Sequence, residues 1–221
     1  MIGFQEILKK ILARLCFYRV SFSNNAHWKY IGRHSKVIKP MKLVGKKFIS
    51  IGSCSYIMND ARIEAVYTYA GEKFSPSIKI GNNVDIQQRV HITCAESVEI
   101  SDGVSILPDV LITDINHPYV NISIPPKEQL LEHNPVFIGP DTIVGMGARI
   151  LPGVKIGKHC CIGANAVVTK DVPDYSVAVG IPAKVIKKYD FEKSEWVKIT
   201  KLLYSGGGSN FYNRLVLGAA V

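Results

Sequence analysis

The sequence predicts an all-β protein, a parallel β-helix whose short strands wind into a prism, and three observations predict it. From Ile138 an aliphatic residue stands at 138, 144, 150, 156, 162 and 168, a strict period of six, and glycine follows it four times. A second register runs through Ile80, Ile86 and Ile92, slips by two residues in CAESVEI, and resumes at Ile100, Ile106 and Ile112. A fainter one marks Ile51, Ile57 and Ile63. An α-helix would repeat near 3.6 residues, and a simple exposed strand would alternate by two without glycine at every sixth position.

Each hexad supplies a short strand with its aliphatic side chain turned inward, and a tight corner where Gly, Asn or Asp takes backbone angles that other residues resist. Three sides close one triangular coil of about eighteen residues, and coils must stack because none buries its apolar face alone. The spacing establishes this solenoid and leaves its handedness open. Its span is residues 35–188.

The segment before it, 1–34, begins MIGFQEILKKILARLCFYRV. Phe4, Ile7, Leu8, Ile11, Leu12 and Leu15 recur at helical spacing with Lys9, Lys10 and Arg14 between them, which describes a basic amphipathic helix. Arg14 interrupts the apolar run well short of the ~20 residues that a membrane span or a secretory leader would present. Residues 1–47 hold eleven Lys or Arg against one acid, Glu6, whereas the remainder holds sixteen against seventeen, so the formal net charge of +9 is concentrated at one end. Such a helix packs on its own domain or across an oligomer interface, or gives residues 1–20 a peripheral foothold on an anionic membrane surface. No nucleic-acid-binding motif accompanies the basic stretch.

Two stretches break the solenoid. YTYAGEKFSPS at 67–77 is an insertion expected to flank a cleft, and after Ile112 the chain leaves its register in DINHPY, returning only at Ile138. An extruded loop of about 117–136 adds backbone that the fold does not need, which marks it as functional. Beyond it, residues 189–221 comprise FEKSEWVKITKLLY, read as a short helix whose Phe191, Trp196, Ile199 and Leu203 cap the open end of the prism, and a glycine-rich linker with an apolar tail. The five cysteines form no CxxC pair or metal-type spacing and read as free thiols of a reducing cytoplasm.

The hexads, with the closing stretch IGANAVVTKDVPDYSVAVGIPAKVIKKYD, resemble the left-handed β-helix acyltransferases of the hexapeptide-repeat family, especially the galactoside, maltose and xenobiotic acetyltransferases and the sugar O-acetyltransferases of cell-surface polysaccharide pathways. The resemblance implies a left-handed coil, a homotrimer with its sites in the clefts between prisms, acetyl-CoA as donor, a carbohydrate acceptor, and work in the cytoplasm or at the inner face of its membrane. It also implies that His117, in the His-Pro corner, is the catalytic base. An imidazole titrating near neutrality is suited to take the proton of a sugar hydroxyl as it attacks the thioester, then pass it to the departing thiolate.

Asp114 or Asn116 is expected to orient that imidazole, with Tyr119, Gln87 and His91 around the acceptor. The same resemblance places Gly145, Met146, Ala164, Thr169 and Lys170 beside the cofactor and Lys184 and Lys187 at its phosphates, and backbone N–H groups at Gly145 and Gly147 would serve the oxyanion. Gln87 and Ala95 stand where galactoside-type members carry asparagine and aspartate, so a simple galactoside is not the implied acceptor, and Ile143 replaces a common tryptophan. N-acetylation of an amino sugar nucleotide would use the same base. Zinc-dependent carbonic anhydrases share the prism, but their second histidine, five positions on, is here Ile122, and no metal is expected. A non-catalytic scaffold would have lost the His117 corner.

Overall fold

The computed structural model describes residues 27–199, so the amphipathic segment of residues 1–20 and the tail from 200 onward lie outside the described residues. Each inward aliphatic of the hexads heads a ladder of parallel strands, and the ladders form three faces. The first face stacks Tyr30–Ile31, Ile49–Ile51, Ser77–Ile80, Ser97–Ile100, Val136–Ile138 and Lys155–Ile156. The second begins with Lys36–Val37, Tyr56–Ile57, Asp85–Ile86, Ser105–Ile106, Ile143–Val144 and Cys161–Ile162 and continues to Ser176–Val179. The third stacks Lys42–Val44, Arg62–Ala65, His91–Cys94, Leu111–Thr113, Arg149–Ile150 and Val167–Val168.

Register follows the sequence repeat. On the third face Ile63, Ile92, Ile112, Ile150 and Val168 stand directly over one another, and on the second Ile57, Ile86, Ile106, Val144 and Ile162 do the same. Among the described residues fourteen isoleucines, from Ile49 to Ile162, are fully buried in this single core. At ~1.5–3 kcal/mol for each buried side chain of this size, the ladder is the principal stabilising element of the prism.

The corners demand left-handed backbone, and not only glycine supplies it. Asn83, Asp109, Asp141 and Asn165 sit at positive φ, as do His34 and His159 and, of residue types that adopt it less readily, Cys54, Arg89 and Tyr175. Cross-coil side-chain bonds compensate: Asn82 Oδ1 accepts from the Ser53 N–H, and Asp102 Oδ1 accepts from the Asn82 N–H, at 2.8 and 2.7 Å.

Two boundaries and one element differ from the sequence expectation. The first coil starts at Tyr30, which pairs with Ser50, rather than at 35, and parallel pairing ends with Ser176–Val179 rather than at 188. Where FEKSEWVKITKLLY suggests a helix, the described part forms a strand, Glu195–Lys198, antiparallel to Lys184–Asp190, which is itself antiparallel to Ser176–Val179. The reason is physical. The last parallel strand presents a row of open backbone groups, which an added antiparallel strand satisfies and a helix does not.

Corners between the first and second faces and between the second and third are four residues long, as in 81–84 and 87–90. Every large irregularity leaves from the third ridge, between the third and first faces: 66–76, 95–96 and 114–135 on successive coils. The extruded loop thus departs directly after Thr113, four residues before His117.

Candidate active site

The three irregular corners pack on one another. The insertion folds as a β-hairpin, Thr68–Tyr69 with Glu72–Lys73, and the extruded loop starts and ends as another, Ile115–Asn116 with Glu132–His133. Tyr69 joins them: its hydroxyl donates to the Lys127 carbonyl at 2.8 Å, and its ring stands edge-on to His117 with centroids 5.6 Å apart. His117 is exposed at this ridge, and no carboxylate among the described residues pairs with it.

Asp114 has a different task from the one expected. It is fully buried, and its carboxylate accepts from the N–H groups of Ala95, Glu96 and Ser97, each at 2.8 Å. It therefore caps the shortened corner of the preceding coil and fixes the root of the loop, and its hydrogen bonds go to that corner rather than to His117. Asn116 reaches Glu132 across the hairpin at 3.3 Å, and Tyr119 is exposed. His133 Nδ1 lies 2.8 Å from Glu96 Oε2, with its ring edge-on to Phe74. Sequence reading left the Glu96–His133 pair unnoticed, because the partners are 37 residues apart and meet only when the coils stack.

The remaining expected residues divide between two ridges. Gln87, Gly145, Met146 and Ala164 occupy corners of the ridge between the second and third faces; Thr169 and Lys170 share the ridge of His117. Between them the outer surface of the third face carries Lys42, Arg62, Glu64, His91, Thr93 and Thr113. Lys184 and Lys187 lie on the antiparallel cap, opposite Val179 and Val177. One chain does not bring both ridges onto one wall.

Of the corner amides, Gly145 N–H donates to the Ile162 carbonyl and Gly147 N–H to that of Pro108, at 2.8 and 2.9 Å. Both are consumed by coil stacking and are not free for an oxyanion, which corrects that expectation. Met146 N–H, between them on an exposed corner, has no partner among the described residues.

The third face has its own electrostatics. Burial opposes ionisation of Glu64, but hydrogen bonds and charges from Arg62 and Lys42 outweigh it and hold its carboxyl below the ordinary value. Burial, reinforced by the Arg62 charge, lowers the His91 pKa and so disfavours the charged ring, and its buried Nε2 has no hydrogen-bond partner. Burial raises the Cys94 thiol far above its usual range, which removes it as a nucleophile.

The stacked hexad prism is the fold expected of the β-helix acyltransferases. Comparison with known proteins makes the assignment specific. Residues 135–170 match the family model described as bacterial transferase hexapeptide (six repeats). The chain is 35% identical over 162 residues to WbbJ of Escherichia coli (strain K12), named as a lipopolysaccharide biosynthesis O-acetyl transferase, covering 65% of this chain and 80% of that protein. It is 31% identical over 169 residues to the galactoside O-acetyltransferase of the same strain, covering 76% and 78%. The chain belongs to the hexapeptide-repeat acyltransferase family and is an acetyltransferase.

Solved structures agree on the fold, the left-handed β-helix. AntD, an N-acyltransferase from Bacillus cereus in complex with dTDP and 3-hydroxybutyryl-CoA, superposes with a TM-score of 0.62 at 20% identity, covering 86% of this chain and 91% of that one. Galactoside acetyltransferase in complex with coenzyme A gives 0.52 at 23% identity, covering 84% and 82%.

Proposed function

We propose that this enzyme transfers the acetyl group of acetyl-CoA to a hydroxyl of a sugar in cell-surface polysaccharide assembly, with His117 as general base. The observation that carries the reading is His117 itself, exposed at the foot of the extruded loop on a ridge that Asp114 anchors. The similarity to WbbJ and to galactoside O-acetyltransferase supports oxygen as the nucleophile.

In this mechanism His117 takes the hydroxyl proton as the oxygen attacks the thioester carbon. The new C–O bond leaves a tetrahedral oxyanion, for which Met146 N–H is the available backbone donor on the opposite ridge. Collapse breaks the C–S bond, and the imidazolium returns the proton to the thiolate. No covalent enzyme intermediate is needed, because holding both substrates in one cleft supplies much of the rate.

The division of the expected residues over two ridges supports a homotrimer, in which the ridge of Gly145, Met146 and Ala164 on one protomer faces the His117 ridge of its partner. Thr169, Lys170, Lys184 and Lys187 are then the cofactor's polar and phosphate contacts. A cytoplasmic location, with the basic N-terminal segment holding the enzyme beside the membrane where lipid-linked glycans are built, belongs to the same proposal.

The test is acetyl-CoA turnover, followed as released thiol, against sugars, nucleotide sugars, amino sugar nucleotides and glycan fragments. One class of hydroxyl acceptor raises the rate, and His117→Ala lowers that increment by about 10²–10⁴-fold, the range for a positioned general base. Undiminished turnover in the variant removes His117 from the mechanism, and a rate increase confined to amino sugars moves the activity to nitrogen.

A further inference from the structure

Three excursions on three successive coils converge on His133. Glu96, in the short corner 95–96, meets its Nδ1 at 2.8 Å, and Phe74, following the inserted hairpin, stands against its ring at 5.8 Å and 87°. The antiparallel register Ile115↔His133 fixes its place relative to His117. His117 directly follows the strand Ile115–Asn116, so both histidines stand on the one hairpin, His133 in its ladder and His117 at its end. The insert covers both rings with one aromatic each, Tyr69 on His117 and Phe74 on His133.

The chemistry of the pair follows from the carboxylate. With Nδ1–H donating to Glu96, the neutral ring holds its lone pair on Nε2, and that atom has no partner among the described residues. The side chain is 35% exposed, enough to reach a ligand while its other edge is fixed.

We propose that His133 is an acceptor-binding residue: its Nε2 accepts a hydrogen bond from a sugar hydroxyl neighbouring the one that His117 deprotonates, and Glu96 is the positioning residue that fixes the tautomer. The inference rests on the reading of His117 as base of a sugar O-acetyltransferase, and deepens it by naming what selects the acceptor.

The experiment uses the full-length enzyme, the best acceptor of the panel above and its monodeoxy derivatives. His133→Phe raises the KM for the parent acceptor about five- to tenfold, the scale of one neutral hydrogen bond, with kcat and the KM for acetyl-CoA within twofold. One deoxy derivative loses the same factor with the wild-type enzyme and loses nothing further with His133→Phe. Glu96→Ala gives a smaller rise on the parent, again in KM. Equal losses on every derivative, or a fall in kcat with an unchanged acceptor KM, make the pair a structural latch and overturn the proposal. Wild-type turnover that depends on His117 but ignores His133 overturns the inference alone; no turnover with any acceptor overturns the O-acetyltransferase reading and this inference with it.

Discussion

Asp114 shows how stacking decides the role of a residue. Three positions before His117, it reads in sequence as the carboxylate that orients an imidazole, but the coil places it under residues 95–97, where three backbone N–H groups need an acceptor. Asp114→Ala strands those donors, one of them on buried Ala95, and lowers unfolding stability by about 1–3 kcal/mol, the cost of one unsatisfied buried group. Denaturant unfolding reads this directly. Wild-type stability with lost activity would return Asp114 to the catalytic role. The relation spans 17 to 19 residues, one coil, so only a reading that already holds the coil offset could find it.

At the scale of the element, the hexad strands were legible because one inward aliphatic per side suffices to set register. The outer surface of the third face was not, because outward residues follow no repeat. There Arg62 stands opposite His91, and Thr93 opposite Glu64. Both titratable groups make the face sensitive to acid. Folded His91 binds a proton less readily than the unfolded chain does, so as pH falls through its ordinary value of 6.5 the unfolded state takes up more of that proton, and stability declines. Glu64, depressed by Arg62 and Lys42, contributes stability above its ordinary value of 4.5 that is lost as pH falls from there through the folded value. The urea midpoint therefore drops from pH 7.5 to 5.5, and His91→Leu removes that drop while raising the midpoint at pH 7.5, since an orphaned Nε2 is replaced by a hydrocarbon. A His91→Leu midpoint that still falls over this interval would place the acid-sensitive group elsewhere.

The whole molecule is a stack in which each coil touches only its neighbours, so stability is lost from the ends inward. The described C-terminal end is closed by antiparallel strands rather than the helix that its amphipathic sequence suggested. The misreading came from weighing side-chain spacing without the open edge of Ser176–Val179 that the strands satisfy. Tyr189 is central to this closure. Its N–H donates to the Tyr175 carbonyl, and its ring stands edge-on to Phe191 and Trp196 with centroids 5.0 and 5.5 Å apart. Aromatic pairs add ~0.5–1.5 kcal/mol each beyond their buried area, so Tyr189→Ala weakens the cap by roughly 2 kcal/mol. In a cooperative globule that loss would spread over every amide. In a stack it is local, so native-state hydrogen exchange should quicken about tenfold or more in 176–179 and 184–190 while Ser105–Ile106, in the middle of the prism, stays as protected as in the wild type. Uniform acceleration across both regions would mean that the prism unfolds as one unit and that its closing strands stabilise the distant active-site ridge as much as the coil they cover.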